Sequence, residues 1–258
     1  MRAAWLAAGA VVTVFALVLS TAALWVGVAG ARMPMDVTMR SIPFNRGDMR
    51  IETGRGQVDL IVLPGKAGEL VIDRALRWSR DRPTVTEEWD ARSGTLRLDA
   101  VCSGSDQPQG PLCRADYTVY VPPEIDLEAS ASGGVLDVGD LFGSVRLTSV
   151  SGDVSVRAIT GDLWARTETG SIRGMNLSGR RADVEVGWGN VSLTFAGVPA
   201  EVRAVVRTVG DVDLTVPDNL YAVTTSAANI TLDVRRDADA PRKITAEAPK
   251  GSVSVCCR

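Results

Sequence analysis

The sequence predicts an all-β chain: a β-solenoid of single-stranded, β-helix-like form with about 18–21 residues per coil, preceded by one N-terminal transmembrane helix. Three observations predict it. Gly134, Gly143, Gly152, Gly161, Gly170 and Gly179 recur at a spacing of nine. Apolar residues follow each glycine at fixed offsets, and residues 3–31 carry no charge.

The N-terminal stretch contains Trp5, Leu6, Val11, Phe15, Leu17, Leu24 and Trp25, and about 20 apolar residues suffice to cross a bilayer. Trp5 and Trp25 stand where interfacial tryptophans belong, at the two headgroup levels. This predicts a membrane anchor over residues 1–31 that meets the lipid bilayer through residues 3–31. A cleaved signal peptide is the alternative, since Ala29-Gly30-Ala31 fits a small-x-small cleavage site, although the apolar run exceeds the ~7 to 15 residues of such peptides. Arg32, Arg40, Arg46 and Arg50 follow the span while Arg2 alone precedes it. The positive-inside rule would then keep the large domain in the cytoplasm, but that rule weakens for long translocated domains. The cysteines point outward instead. Cys102 and Cys113 bracket a turn-rich segment, and a disulfide closing so short a loop is worth roughly 3 kcal/mol and persists in oxidising compartments. A zinc site would need further ligands at that spacing. The expected localisation is the cell membrane, single-pass, with the solenoid extracytoplasmic. Cys256 and Cys257 are open to pairing elsewhere, to another chain, or to remaining free thiols.

Residues 32–130 are predicted to be a strand-rich N-terminal cap with the first coils. Gln57–Val62, Leu70–Leu76, Thr84–Trp89, Thr95–Val101 and Tyr117–Val121 alternate or are β-branched. Residues 131–258 are the solenoid repeat region. Counting from each glycine, the third position reads Leu136, Val145, Val154, Leu163 and Ile172 and the fifth reads Val138, Leu147, Val156 and Ala165, so both face one side of a strand. A nine-residue unit cannot bury that side alone, but two units per coil, stacked, make a continuous core. Arg181 falls on an inward position of the last strict unit, which predicts a register slip near residues 180–183.

Gly54-Arg55-Gly56-Gln57-Val58-Asp59-Leu60, Tyr117-Thr118-Val119-Tyr120-Val121-Pro122 and the serial Ser151-Gly152-Asp153-Val154 units together resemble the bacterial putative-adhesin β-strand-repeat family, domain of unknown function 4097. The resemblance covers roughly residues 35–258. It implies an envelope β-solenoid with no established catalytic residues.

Composition narrows the chemistry. The chain has no histidine, the commonest general base near neutral pH and the commonest transition-metal ligand. Its 28 basic and 31 acidic residues form no stripe, so nucleic acid is not an expected partner. No catalytic, cofactor-binding or metal-ligating residue is assigned, and no cofactor is expected. The Gly152-Asp153, Gly161-Asp162 and Gly210-Asp211 pairs suggest a calcium roll, but neighbouring coils put Ser, Asn or Arg where such a roll repeats Asp. They read as turn formers. Asp183 and Glu185 are among the carboxylates from which a catalytic pair would have to come. Trp164, between inward Leu163 and Ala165, points outward near Arg146 one coil earlier, and the two are the candidate surface-binding residues, against a role in cross-strand packing. Trp188, beside two glycines, is expected to fill a corner. The expected function is a non-enzymatic, membrane-anchored envelope protein for adhesion to a surface polysaccharide or protein. A membrane-held regulatory or scaffolding domain is the alternative, and a polysaccharide-active enzyme, needing two carboxyl groups about 5 to 10 Å apart, is the third.

Overall fold

The computed structural model describes residues 13–25, 34–104 and 110–257. The chain divides into two compact units, Met1–Pro34 and Met35–Arg258.

In the first unit one helix, α1, is described, over residues 13–25. At 1.5 Å per residue a helix of that length rises about 20 Å, against about 30 Å for the hydrocarbon core of a bilayer. No helix among the described residues is long and apolar enough to cross a membrane. The predicted transmembrane anchor over residues 1–31 is therefore corrected, and the single-pass membrane localisation drawn from it falls with it. The rest of that stretch, residues 1–12 and 26–33, lies outside the described residues.

The second unit is all-β among the described residues, with twenty strands in one sheet. The N-terminal eight are β1 (Met35–Pro43), β2 (Asp48–Thr53), β3 (Val58–Pro64), β4 (Glu69–Trp78), β5 (Thr84–Asp90), β6 (Thr95–Val101), β7 (Cys113–Val121) and β8 (Asp126–Gly133). The repeat region continues with β9 (Leu136–Gly139), β10 (Val145–Ser151), β11 (Val154–Arg157), β12 (Leu163–Thr169), β13 (Ile172–Leu177), β14 (Arg181–Trp188), β15 (Val191–Phe195), β16 (Glu201–Val209) and β17 (Val212–Val216). It closes with β18 (Leu220–Asp233), β19 (Arg235–Arg236) and β20 (Lys243–Cys257).

Successive strands fall alternately into two pairing columns. In the first, β6, β2, β8, β10, β12, β14 and β16 are neighbours in that order, all parallel. In the second, the parallel order is β7, β3, β9, β11, β13, β15, β17. Residues one coil apart sit side by side: Val145 pairs with Leu127 on one flank and Leu163 on the other. Their inward side chains, with Val154, Val156, Leu136 and Ile172 from the second column, form one buried core. Parallel pairing across a coil leaves each strand buried on its inner face and solvated on its outer one, which is what the alternation of β10 and β12 encodes.

Leu163 pairs with Ala182, a step of one residue more than the preceding coils, and Arg181 is exposed. The slip expected near residues 180–183 is thus a single inserted residue. Trp188 does not fill a corner; it is 60% exposed.

Neither end of the stack follows sequence order. The β6–β7 coil pairs outside the β2–β3 coil, and β4 and β1 then add antiparallel beyond β7, with β5 antiparallel beyond β6. At the other end β20 is inserted between the β16–β17 coil and β18. Cys102 and Cys113 join the ends of β6 and β7 in a disulfide with Cα atoms 5.9 Å apart, while Cys256 and Cys257 are free.

Tyr117 on β7 is wholly buried, and its hydroxyl lacks a hydrogen-bond partner. Burial pushes its phenol up to about 12, against the opposing pull of Arg74. Folding favours the neutral ring, so this contribution is fully present below the unfolded value near 10 and is lost as pH rises from about 10 through 12. Urea unfolding at pH 7 and pH 11.5 is expected to show a loss on the order of 2 kcal/mol between them. Tyr117→Phe should remove most of that difference while leaving stability at pH 7 equal or higher, because an unpaired buried hydroxyl is deleted. An unchanged pH difference in the variant would remove Tyr117 as its source.

Candidate functional site

The outer face of the first column carries Trp164 in the middle of a row set by register: Arg50, Glu128, Arg146, Trp164, Asp183 and Arg203 lie opposite one another on β2, β8, β10, β12, β14 and β16. The alternation that buries Leu163 and Ala165 turns Trp164 outward. Two guanidinium groups lie over its ring, Arg146 at 4.3 Å and Arg166 at 4.6 Å from the centroid. The structure therefore brings both predicted binding residues together, in direct contact.

The two arginines are not equivalent. Arg166 is half-buried and fixed: its Nη2 donates to Asp183 Oδ2 at 2.8 Å and its Nη1 to the Asp183 carbonyl at 2.8 Å. Arg146 is exposed, and its neighbour in register, Glu128, already accepts from Arg50 at 2.8 Å. Moving Arg146 off the ring thus costs little more than an exposed cation–π contact, about 0.5–1 kcal/mol.

Beyond Arg166 the row becomes an ion-pair network. Arg203 Nη1 donates to Asp183 and to Glu185, both at 3.2 Å, and Arg207 reaches Glu185 at 3.2 Å. Burial opposes the charge on Arg203, but the hydrogen bonds to Asp183 and Glu185 outweigh it and raise its pKa. Sharing one nitrogen makes Asp183 and Glu185 close neighbours, the arrangement a glycosidase pair would need. Both, however, are engaged by arginines.

At the starts of these strands runs a groove of about 750 Å³, lined among others by Arg50, Glu128, Arg146, Trp164, Arg181 and Asp183. It crosses six strands, from Thr95 on β6 to Asp183 on β14. At about 4.8 Å per strand it is about 24 Å long, along the axis of the stack.

The turn aspartates act on backbone. Asp126 accepts the Ser144 N–H at 2.7 Å, Asp153 the Ser171 N–H at 2.8 Å, and Asp162 the Arg181 N–H at 3.1 Å, each capping the next coil. Among the described residues no group of three or more His, Cys, Asp or Glu side chains is placed to hold a metal ion. Sequence reasoning missed Arg166, Arg203 and Arg207. Arg166 follows from the alternation that turns Trp164 outward, two residues further along β12, whereas placing Arg203 and Arg207 requires the residues inserted before β14 and β16.

No family model matches this chain, and no curated protein matches it. It is similar in shape to solved structures named as a putative cell adhesion protein from Clostridium sporogenes ATCC 15579 (9% identity, covering 88% of this chain and 100% of that one, TM-score 0.41) and a putative adhesin from Parabacteroides merdae ATCC 43184 (12%, 85% and 96%, TM-score 0.42). A putative adhesin from Bacteroides fragilis NCTC 9343 is similar as well (11%, 86% and 97%, TM-score 0.39). No matching model stands behind the resemblance to domain of unknown function 4097, and at these identities and TM-scores the likeness assigns the chain no ligand.

Proposed function

We propose that the chain is a non-catalytic adhesion module that holds an extended surface polysaccharide in the groove beside Trp164. The observation that carries this reading is the groove itself: long, open and lined by guanidinium, carboxylate and hydroxyl groups around one tryptophan. Sites for small molecules are enclosed and mostly apolar, whereas a linear chain of sugars is gripped by many weak contacts, with an aromatic face for the pyranose ring. Arg146 is the cover that such a ring displaces. A protein segment lying in the same groove is the second reading, favoured by the alternating charges of Arg50, Glu128, Arg146 and Asp183.

Calorimetric titration with oligosaccharides of increasing length tests it. Affinity should rise with length until the groove is filled and then level off, and Trp164→Ala should weaken binding by about tenfold, roughly 1.4 kcal/mol, with the far-UV spectrum unchanged. Binding indifferent to length or to Trp164 would sink the polysaccharide reading. Release of new reducing ends that stops in Asp183→Asn would overturn its non-catalytic part.

A further inference from the structure

Resting on the polysaccharide reading above, we propose that the groove takes an acidic polymer with one anionic group, carboxylate or sulfate, on every second sugar. The hollow does not stop at β14. A second one, lined by Arg180, Glu201 and Lys243 among others, shares Asp162 and Arg181 with the groove beside Trp164. Together they follow one column of eight parallel strands, from β6 through β16 to β20. At about 4.8 Å per strand that is about 34 Å.

Along this path, cations with little or no ion pairing recur on alternate strands. Arg146 on β10 lies over the Trp164 ring and has no ion pair among the described residues. Arg181 on β14 has 69% of its side chain exposed and meets Glu201 only at 3.8 Å. Lys243 on β20 is exposed, again with no ion pair among the described residues. In the order β10, β12, β14, β16, β20 these three stand two strands apart, about 10 Å from one to the next. Arg50 on β2 keeps the same phase, although it already holds Glu128 at 2.8 Å. The strands between carry acids: Glu128 on β8, Asp162 at the start of β12 and Glu201 on β16. Two acids fall on the cation strands, and arginines answer both. Asp48 on β2 is met by Arg46 at 3.1 Å, and Asp183 on β14 by Arg166 at 2.8 Å and Arg203 at 3.2 Å. The free positive charge is local, in a chain whose net charge is -3.

This spacing selects the polymer. An extended chain of linked pyranose rings advances by nearly one strand spacing per ring, so a ring stacked on Trp164 sets its two neighbours over β10 and β14. An anion on each neighbour meets Arg146 and Arg181, and the next in the same phase meets Lys243. Stacking displaces Arg146 from the tryptophan, which frees that guanidinium for the first of these anions. The rings beside Glu128, Asp162 and Glu201 have to be uncharged, because an anion there meets its like. A polymer acidic at every ring is repelled at alternate steps, and a neutral one leaves three cations without a partner.

Calorimetry with octasaccharides on the full chain tests the charge and its phase separately. Hyaluronan, with a carboxylate on every second ring, or κ-carrageenan, with a sulfate there, should bind about thirtyfold more tightly than its carboxyl-reduced or desulfated form, from three exposed ion pairs at about threefold each. The tighter of the two names the anion. Galacturonan, acidic at every ring, should bind less tightly than the alternating polymer. Arg181→Gln and Lys243→Gln alter exposed side chains, and each should cost the alternating polymer about threefold and narrow its lead over the neutral form. Arg173→Gln, exposed on β13 of the second column, should change nothing. If neutral oligosaccharides bind through Trp164 and alternate anions add nothing, or if galacturonan binds as tightly as the alternating polymer, the proposal falls and the polysaccharide reading stands. If no oligosaccharide binds, charged or neutral, both fall.

Discussion

Gly152→Ala is expected to cost the chain about 3 kcal/mol or more, enough to take a large part of a domain's usual stability. Gly152 has φ +143, a conformation that L side chains rarely adopt, and a Cβ added there would lie 1.8 Å from the carbonyl oxygen of Gly134. The obstruction is backbone, one coil below, so no rotamer relieves it and the coils must part. Strain of about 1–3 kcal/mol for the dihedral adds to a similar term for overpacking. The contact is a feature of the stack: Gly170 stands over Gly152 in the same way at 2.2 Å, Gly189 over Gly170 at 2.1 Å, and Gly210 over Gly189 at 1.9 Å. Gly47, where a Cβ would meet nothing within 4 Å, is the control, and Gly47→Ala should move the urea midpoint by less than about 0.5 kcal/mol. Equal losses at the two positions would show that the glycine column is not what keeps the coils together.

That column is also why so much of the repeat region could be read from sequence. A residue type demanded by close backbone approach, repeated at every coil, leaves a period visible without any alignment. With the period known, Val145, Leu147, Val154 and Val156 are placed on the core side by alternation alone. The ends were not legible in the same way. Nothing local marks β2–β3 for a place between two later coils, or β20 for insertion inside β18, because those choices are made by which open edge meets which, over long sequence separations. The site shows the same division. Trp164 facing outward, with Arg146 beside it, follows from two coils of identical length. The Arg166–Asp183–Arg203–Glu185 network does not, because one inserted residue before β14 and two more before β16 decide which side chains stand opposite. The absence of charge in residues 3–31 misled for a related reason: it constrains what a helix there would tolerate, and the residues described as helix, 13–25, make no membrane span.

Leu147→Ala should be the costliest truncation in the middle of the stack, about 3–5 kcal/mol, toward the upper part of the range for buried leucines. Leu147 is wholly buried, and its neighbours in register on either flank are Ala129 and Ala165. Along this row, therefore, one leucine fills the volume that two alanines leave, and cutting it back puts three alanines in succession with no longer side chain able to lean in. Val154 is the opposite case, flanked by Leu136 and Ile172, whose side chains can close over a lost methyl pair. Val154→Ala is expected to cost at least about 1 kcal/mol less than Leu147→Ala, since the size of a truncation's cost depends on how far the site collapses. Urea unfolding of the two variants, at equal slopes of free energy against denaturant, measures the difference. Equal costs would mean that volume is balanced along each strand and not across coils, and the row of Ala129, Leu147 and Ala165 would then have no packing role of its own.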